Sequence, residues 1–441
     1  MPAHAASLPQ NRWTLRARFA ALGVVFTLIG GGLAWGLTGN WGESHAGATA
    51  ASTEQGQDDL GARVPTAAPT TTEPEPPPDP ADITIAAAGD ILPHMPVLRS
   101  ATVDGEYDFT TLWSRLDPWI AGADLSLCHM EVPIAPPGSS PSGYPMFAAP
   151  KEIARDIAAQ GWDGCSMASN HSVDRGFAGI EATLEAFEDV GIGAAGTART
   201  EEEANALQYY ELERAERTIK IAHLSGTYGL NGLPKPAGKP WAVDVFDAEA
   251  PDVTRLLEQA DQARAEGADL VIASIHCCVE YQTAPTAAQA ELMQALADAG
   301  TIDLVIGHHA HVPQPIAKLE GGPGDAGMWV AYGLGNYISN QSADCCVSQT
   351  SNGLVMFASA HVPVEGPVRV TGIEWMGVTV DRLGGHQLFP LSSKGEAAGK
   401  LSADLMTTRY GQVREAVGSQ SPERTEPPTP SGPPATLIPR D

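Results

Sequence analysis

A series of short apolar runs in this chain ends in side chains that can hold a metal or move a proton. ITIAAAGD ends at Asp90, LSLCHME at His129 and Glu131, and GCSMASNH at Asn170 and His171. IKIAHLSG contains His223 and LVIASIH ends at His276. DLVIGHHAH carries His308, His309 and His311, and WVAYGLGN ends at Asn336. Carboxylates, an amide oxygen and imidazoles make a mixed oxygen and nitrogen donor set. Such a set suits one or two divalent ions among Zn, Mn, Fe and Mg. A carboxylate can bridge two ions, and a pair about 3.5–4 Å apart clamps both the attacking and leaving oxygens of a displacement.

The runs are β-branched or alanine-rich, as strands are. Helical patterns lie between them at 150–161, 179–191, 251–267 and 286–300, and the last three end in glycine. The alternation predicts an α/β sheet covered by helices. Loops leaving the carboxyl ends of such strands form the ligand crevice, so the polar residues should converge there.

Several residues admit two readings. Asn170 and His171 also suit a helix N-cap. His276 could be a core histidine, and His129 a ligand, a supporting donor or a packing residue. If the chain after Ile306 stays extended, His309 and His311 share one side and His308 points away. His94 and His223 read as structural or peripheral. Asn336 could bind substrate or hold its strand end, and Glu280 could be a base, a substrate contact or a surface residue. Arg175 is an anion contact or a solvated surface arginine.

The chain has 441 residues, 26 Lys+Arg against 53 Asp+Glu, and a net charge of −27. That balance excludes nucleic acid as a partner. A polyanionic ligand would need positive charge from elsewhere, and a bound metal can supply it. Residues 1–18 carry Arg12, Arg16 and Arg18. The uncharged run 19–37 is long enough to span a bilayer, with the N-terminus cytoplasmic and the body outside. A cleaved signal peptide, with Ala46-Gly47-Ala48 as its site, is the alternative. Residues 38–81 read as a disordered Pro/Thr-rich linker and 419–441 as a disordered tail, leaving 82–418 as the folded unit. Cys128 and Cys165 read as free buried thiols. Cys277, Cys278, Cys345 and Cys346 predict a disulfide between the two adjacent pairs, with thiolate metal ligation as the rival.

AAAGDILPH, ADLSLCHMEVPI, GWDGCSMASNHSVDRGFAGIEATLEAFEDVGI, SIHCCVEYQTAPTAAQAELMQALADAG, DLVIGHHAHVPQPI and AYGLGNYISNQ span about 82–345. Together they resemble the CapA-type proteins of poly-γ-glutamate capsule biosynthesis, relatives of the calcineurin-like metallophosphoesterases. The resemblance implies a metallophosphoesterase-like β-sandwich flanked by helices, with metals at the strand ends. It implies Asp90, Glu131, Asn170, His276, His309 and His311 as metal ligands, with Glu131 bridging. It implies His171 as the acid that protonates a leaving oxygen after a metal-activated water attacks. This chain has His129 where the family has an asparagine. The expected role is synthesis, export or trimming of an anionic surface polymer, through hydrolysis of a phosphoester or amide, or as a non-catalytic subunit beside a polymer synthase. A phosphodiesterase unrelated to capsule is the remaining alternative.

Overall fold

The computed structural model describes residues 79–247 and 252–440. The expected cytoplasmic segment 1–18, the membrane run 19–37 and all but the end of the linker lie outside these residues. No helix among the described residues is long and apolar enough to cross a membrane.

The chain opens with β1 (Ala81–Ile91), the central strand of a first sheet. A small ribbon, β2 (Thr102–Val103) with β3 (Glu106–Tyr107), follows. β4 (Leu125–Met130), β5 (Gly164–Ser166) and β6 (Gly193–Ala195) then extend the first sheet in parallel. The chain crosses to a second sheet for β7 (Gln208–Arg214), β8 (Arg217–Thr227), β9 (Leu270–His276), β10 (Leu304–His308), β11 (Ile316–Leu319) and β12 (Met328–Ala331). It returns to the first for β13 (Asn336–Ile338), β14 (Asn352–Val362), β15 (Arg369–Asp381) and β16 (Gln387–Pro390). A final strand, β17 (Thr436–Ile438), pairs with β7. The orders are β16-β15-β14-β1-β4-β5-β6, with β13 beside β1, and β11-β12-β10-β9-β8-β7-β17.

Period-two alternation sorts the side chains into layers. Ile83, Ile85, Leu125 and Leu127 share one apolar cluster with Ile221, Ile272, Leu304 and Ile306, so the two sheets pack on each other. Ala86 and Ala88 point the other way, toward Ile157 and Leu184 of the helices Glu152–Gln160 and Gly176–Asp189. On the second sheet Val271 and Val305 meet Leu256 and Leu292 of the helices Thr254–Ala265 and Ala287–Ala299. The Ala287–Ala299 helix is bounded as its sequence signals: Thr286 accepts from the Gln289 N–H, and Gly300 closes it at φ 71°.

Two expectations are corrected. The stretch 419–441, read as a disordered tail, is ordered through residue 440. Ser421 is buried and its carbonyl accepts from Trp375 Nε1 at 3.1 Å. The Ser431 N–H donates to Asp124 at 2.7 Å, and Arg440 pairs with Glu203 at 3.5 Å. A proline-rich chain cannot build its own core, but it can be fixed by a few side-chain anchors on a core already present. The cysteines also pair differently: Cys277 with Cys278, Cys345 with Cys346, and Cys128 with Cys165. Cys128 and Cys165 face each other across β4 and β5, a neighbour relation that the sequence separation hides.

The buried Asp124–Arg214 pair, 2.6 Å apart, ties β7 to the first sheet. Asp124 also accepts from the Thr84 N–H and from Ser431. Asp124→Ala strands a buried guanidinium and should cost about 3–5 kcal/mol in urea unfolding. Glu188→Ala, which removes the exposed partner of Arg199, should cost about 0–1 kcal/mol.

Candidate metal centre

β1, β4 and β13 run parallel, with Asp90 beside His129 on one flank and Asn336 on the other. β8, β9 and β10 run parallel in the second sheet, with His276 beside His308. The carboxyl ends of both sheets therefore meet at one place. Gly89 and Gly335 let the backbones approach closely there. A Cβ on Gly89 would overlap the Gly335 carbonyl, which accepts from the Asp90 N–H at 2.8 Å.

Asp90, His129, Glu131, His276, His308, His309 and His311 are all buried. Three groups of potential ligand atoms lie within 4.8 Å of one another: Asp90/His129/His308, Asp90/Glu131/His311 and Glu280/His309/His311. Asp90 is the carboxylate common to the first two, the position the resemblance assigned to Glu131. Asn170 and His276 sit alongside: Asn170 Oδ1 is 3.1 Å from His276 Nε2, and His276 Nδ1 is 2.9 Å from His129 Nε2. His129 stacks on His308 with centroids 4.0 Å apart.

His308 does not point away. β10 ends at His308, and the next residues leave the extended conformation, with His309 at φ 83° and His311 at φ 55°. The coil brings all three imidazoles inward, which an extended chain forbids. His308 Nδ1 lies 3.3 Å and His311 Nδ1 3.0 Å from the Asp90 oxygens.

Beyond these imidazole contacts, the buried oxygens of Asp90 and Glu131 have no hydrogen-bond partner, and neither has His309 Nδ1. Native proteins rarely leave such atoms unpaired. Burial opposes ionisation of Asp90, but the His308 and His311 imidazoles outweigh it and hold the carboxyl well below the usual range. Burial pushes Glu131 well above it. Burial, with neighbouring imidazoles, drives His129 and His276 far down and His309 to about 3. His311 is pushed up to about 9: burial opposes this, and Glu131 and Asp90 overcome it. The neutral imidazoles of His129, His276 and His309 and the carboxylate of Asp90 are in their ligand forms, and a metal would displace the proton favoured on His311 and on Glu131. The residues fit a divalent ion.

A cleft of about 750 Å³ opens over the centre, lined by His94, His171, Asn231, Glu280, Tyr281, His311, Asn340 and Gln341, among others. His171 donates from or accepts at Nδ1 with Asp174 at 2.7 Å, and Asp174 accepts from the Phe147 N–H. Asn336 binds the His311 carbonyl, Gln341 and the Thr350 carbonyl through Nδ2, and its Oδ1 is 3.1 Å from His311 Nδ1. It holds a strand end and a ligand together. Arg175 contacts Ser142 and the Met146 carbonyl, so it fixes the loop beside the cleft rather than facing into it. Cys345 and Cys346 line the cleft, and Cys277 lies buried beneath it. His223 is buried against Ser274, as its structural reading has it. His94 also lines the cleft, its Nδ1 3.4 Å from the Asn340 N–H. The sequence did not single out Asn231, Tyr228 or Tyr281. Tyr228 lies 4.7 Å from the His309 ring and Tyr281 6.0 Å from His311. None of the three carries a spacing signal.

Residues 84–341 match the family described as "Bacterial capsule synthesis protein PGA_cap". The chain is 25% identical over 197 residues to the capsule biosynthesis protein CapA of Bacillus anthracis, covering 44% of each protein. It is 26% identical over 197 residues to the PGA biosynthesis protein CapA of Bacillus subtilis, covering 43% of this chain and 46% of that one. A probable polyglutamine synthesis accessory protein of Mycobacterium tuberculosis is 23% identical over 239 residues, covering 50% of this chain and 61% of that one. The chain thus spans about half the length of the curated relatives it matches.

Asp90 belongs to two of the three groups and Glu280 to one, and Glu280 is half exposed. Asp90→Asn should abolish uptake of manganese or zinc in equilibrium dialysis. Glu280→Gln should retain binding at the Asp90/His129/His308 group and lose at most one equivalent.

Proposed function

The chain belongs to the bacterial capsule synthesis protein family, and on that premise we propose that it is a metal-dependent hydrolase acting on poly-γ-glutamate or a related anionic surface polymer. The observation that carries this is the buried carboxylate pair Asp90 and Glu131, whose four oxygens have no hydrogen-bond partner other than imidazoles, at the floor of a cleft. Two adjacent buried carboxylates are costly without a cation. One or two divalent ions held by Asp90, Glu131, His129, His276, His308, His309 and His311, with Asn170 beside them, offset that cost. The metal supplies Lewis-acid polarisation of a substrate oxygen. A metallophosphoesterase-like sandwich is the reading of the fold that accords with ligands at the ends of both sheets.

His171 is the acid. With Nδ1 committed to Asp174, Nε2 is the nitrogen left to serve the cleft, and the Asp174 carboxylate supports the charged imidazolium. Water adds to the carbonyl carbon of an amide, the C–N bond breaks, and the His171 Nε2 proton goes to the departing nitrogen; of the two protons the water brings, one restores His171 and the other leaves to solvent. The products are a carboxylate and an amine. We further propose that residues 19–37 anchor the chain, placing this domain outside the cytoplasm, where the polymer is handled. The accessory-protein description of the mycobacterial relative favours a second reading, a subunit that binds a polymer synthase.

Chain-length analysis of poly-γ-glutamate tests the first reading. Metal-loaded protein should shorten the polymer, and a chelator should stop it. His171→Gln should keep its metal and lower kcat by about 10²–10⁴. An intact polymer after incubation with metal-loaded wild type would overturn hydrolysis and leave the synthase partner. In membrane fractionation the full chain should sediment with membranes, and a chain lacking 19–37 should not.

A further inference from the structure

No Lys or Arg side chain lines the cleft among the described residues. An oxygen-bearing ligand must therefore meet neutral donors on the walls, apart from any metal on the floor. One wall residue has its donor fixed by a buried relay. His386 is buried beneath the cleft loop, with Nε2 2.9 Å from Asn340 Oδ1 and Nδ1 2.8 Å from Ser100 Oγ.

The donor and acceptor roles in this relay are determined. Asn340 Oδ1 can only accept, so His386 Nε2 carries the proton. Burial, with Arg382 and Arg99 nearby, lowers His386 to about 4, so the ring is neutral and Nδ1 is an acceptor. Ser100 Oγ–H then donates to Nδ1. With its oxygen held, Asn340 must present Nδ2 elsewhere. Nδ2 has no partner among the described residues, and Asn340 lines the cleft. The Asn340 N–H, 3.4 Å from His94 Nδ1, steadies the backbone. A half-buried residue would not need a two-member relay merely to stay folded.

Resting on the function proposed above, we infer that Asn340, oriented by His386 and Ser100, is the neutral donor that positions a carbonyl oxygen of the substrate. A neutral N–H₂ suits an amide carbonyl; the oxygens of a phosphoester would call for the guanidinium or ammonium groups that this wall lacks. Asn340 is thus a positioning residue for an amide-bearing chain, and His386 acts through it.

The test uses the full chain in detergent, loaded with manganese and titrated with a γ-linked glutamate oligomer in a calorimeter. Asn340→Ala should weaken binding about tenfold, the worth of one well-placed hydrogen bond. The loss should be as large at high ionic strength as at low, because the donor is neutral. His386→Leu should weaken binding similarly, and His386→Gln, which keeps an N–H donor, should restore it. Metal content and melting temperature should stay at the wild-type values in all three. Wild-type affinity in Asn340→Ala, or a loss in His386→Leu that His386→Gln fails to restore, overturns the inference alone. A wild type that takes up metal but neither binds nor cleaves the oligomer overturns the functional reading beneath it.

Discussion

The structure is organised around two carboxylates that lie close together, out of water, with no partner but imidazoles for their oxygens. Taken alone, Asp90 and Glu131 would repel each other and be destabilised by burial. They respond in opposite directions. Asp90 is held ionised by the imidazoles against it, and Glu131 is driven toward its protonated form. His311, pushed up to about 9 between them, is the positive charge that the polypeptide itself supplies. In a chain with a net charge of −27 and no Lys or Arg on the described cleft wall, a divalent cation would be a further source.

Holding these groups in register requires both sheets. Asp90, His129 and Asn336 come from adjacent parallel strands of the first sheet, and His276 and His308 from adjacent parallel strands of the second. Neither sheet alone has a complete donor set. The apolar cluster shared by the sheets therefore does more than stabilise the body: it fixes the distance between the two halves of the site. Gly89 adds a local requirement, since a Cβ there would strike the Gly335 carbonyl just before β13, while Gly335 has φ 66° and sits close against Pro313 and the Asn352 carbonyl. The disulfide between Cys128 and Cys165 braces the strands one residue before His129 and Ser166, which bond each other at 2.8 Å.

Much of this was legible in the sequence because strand-end chemistry is written locally. A polar ligand after an apolar run, repeated along the chain, marks the carboxyl ends without any knowledge of sheet order. The residues missed follow from what a sequence does not encode. The inward turn of His308 depends on left-handed backbone at His309 and His311, and nothing in GHHAH announces it. The ordered C-terminal stretch was hidden because composition measures how much core a segment can make, not how well it fits a core made elsewhere. Ser421 under Trp375, and Ser431 on Asp124, are contacts of the second kind. The cysteine expectations failed in two ways: each loop pair closes on itself, and Cys128 and Cys165 are neighbours across β4 and β5.

The cleft and its floor divide the labour of recognition by charge. The floor, with its carboxylates and imidazoles, could concentrate positive charge in an ion. The wall is uncharged or acidic, with Asn231, Asn340, Gln341 and Tyr281 beside Glu280. A polymer with a carboxylate on every unit meets little attraction from such a wall. Its carboxylates are better left in solvent while the neutral backbone enters. On the function proposed above, that arrangement would select for the linkage rather than for the charges it carries. On the same proposal, it would let so acidic a protein engage an acidic chain: the attraction would be confined to the point of chemistry, and elsewhere the two need only avoid each other.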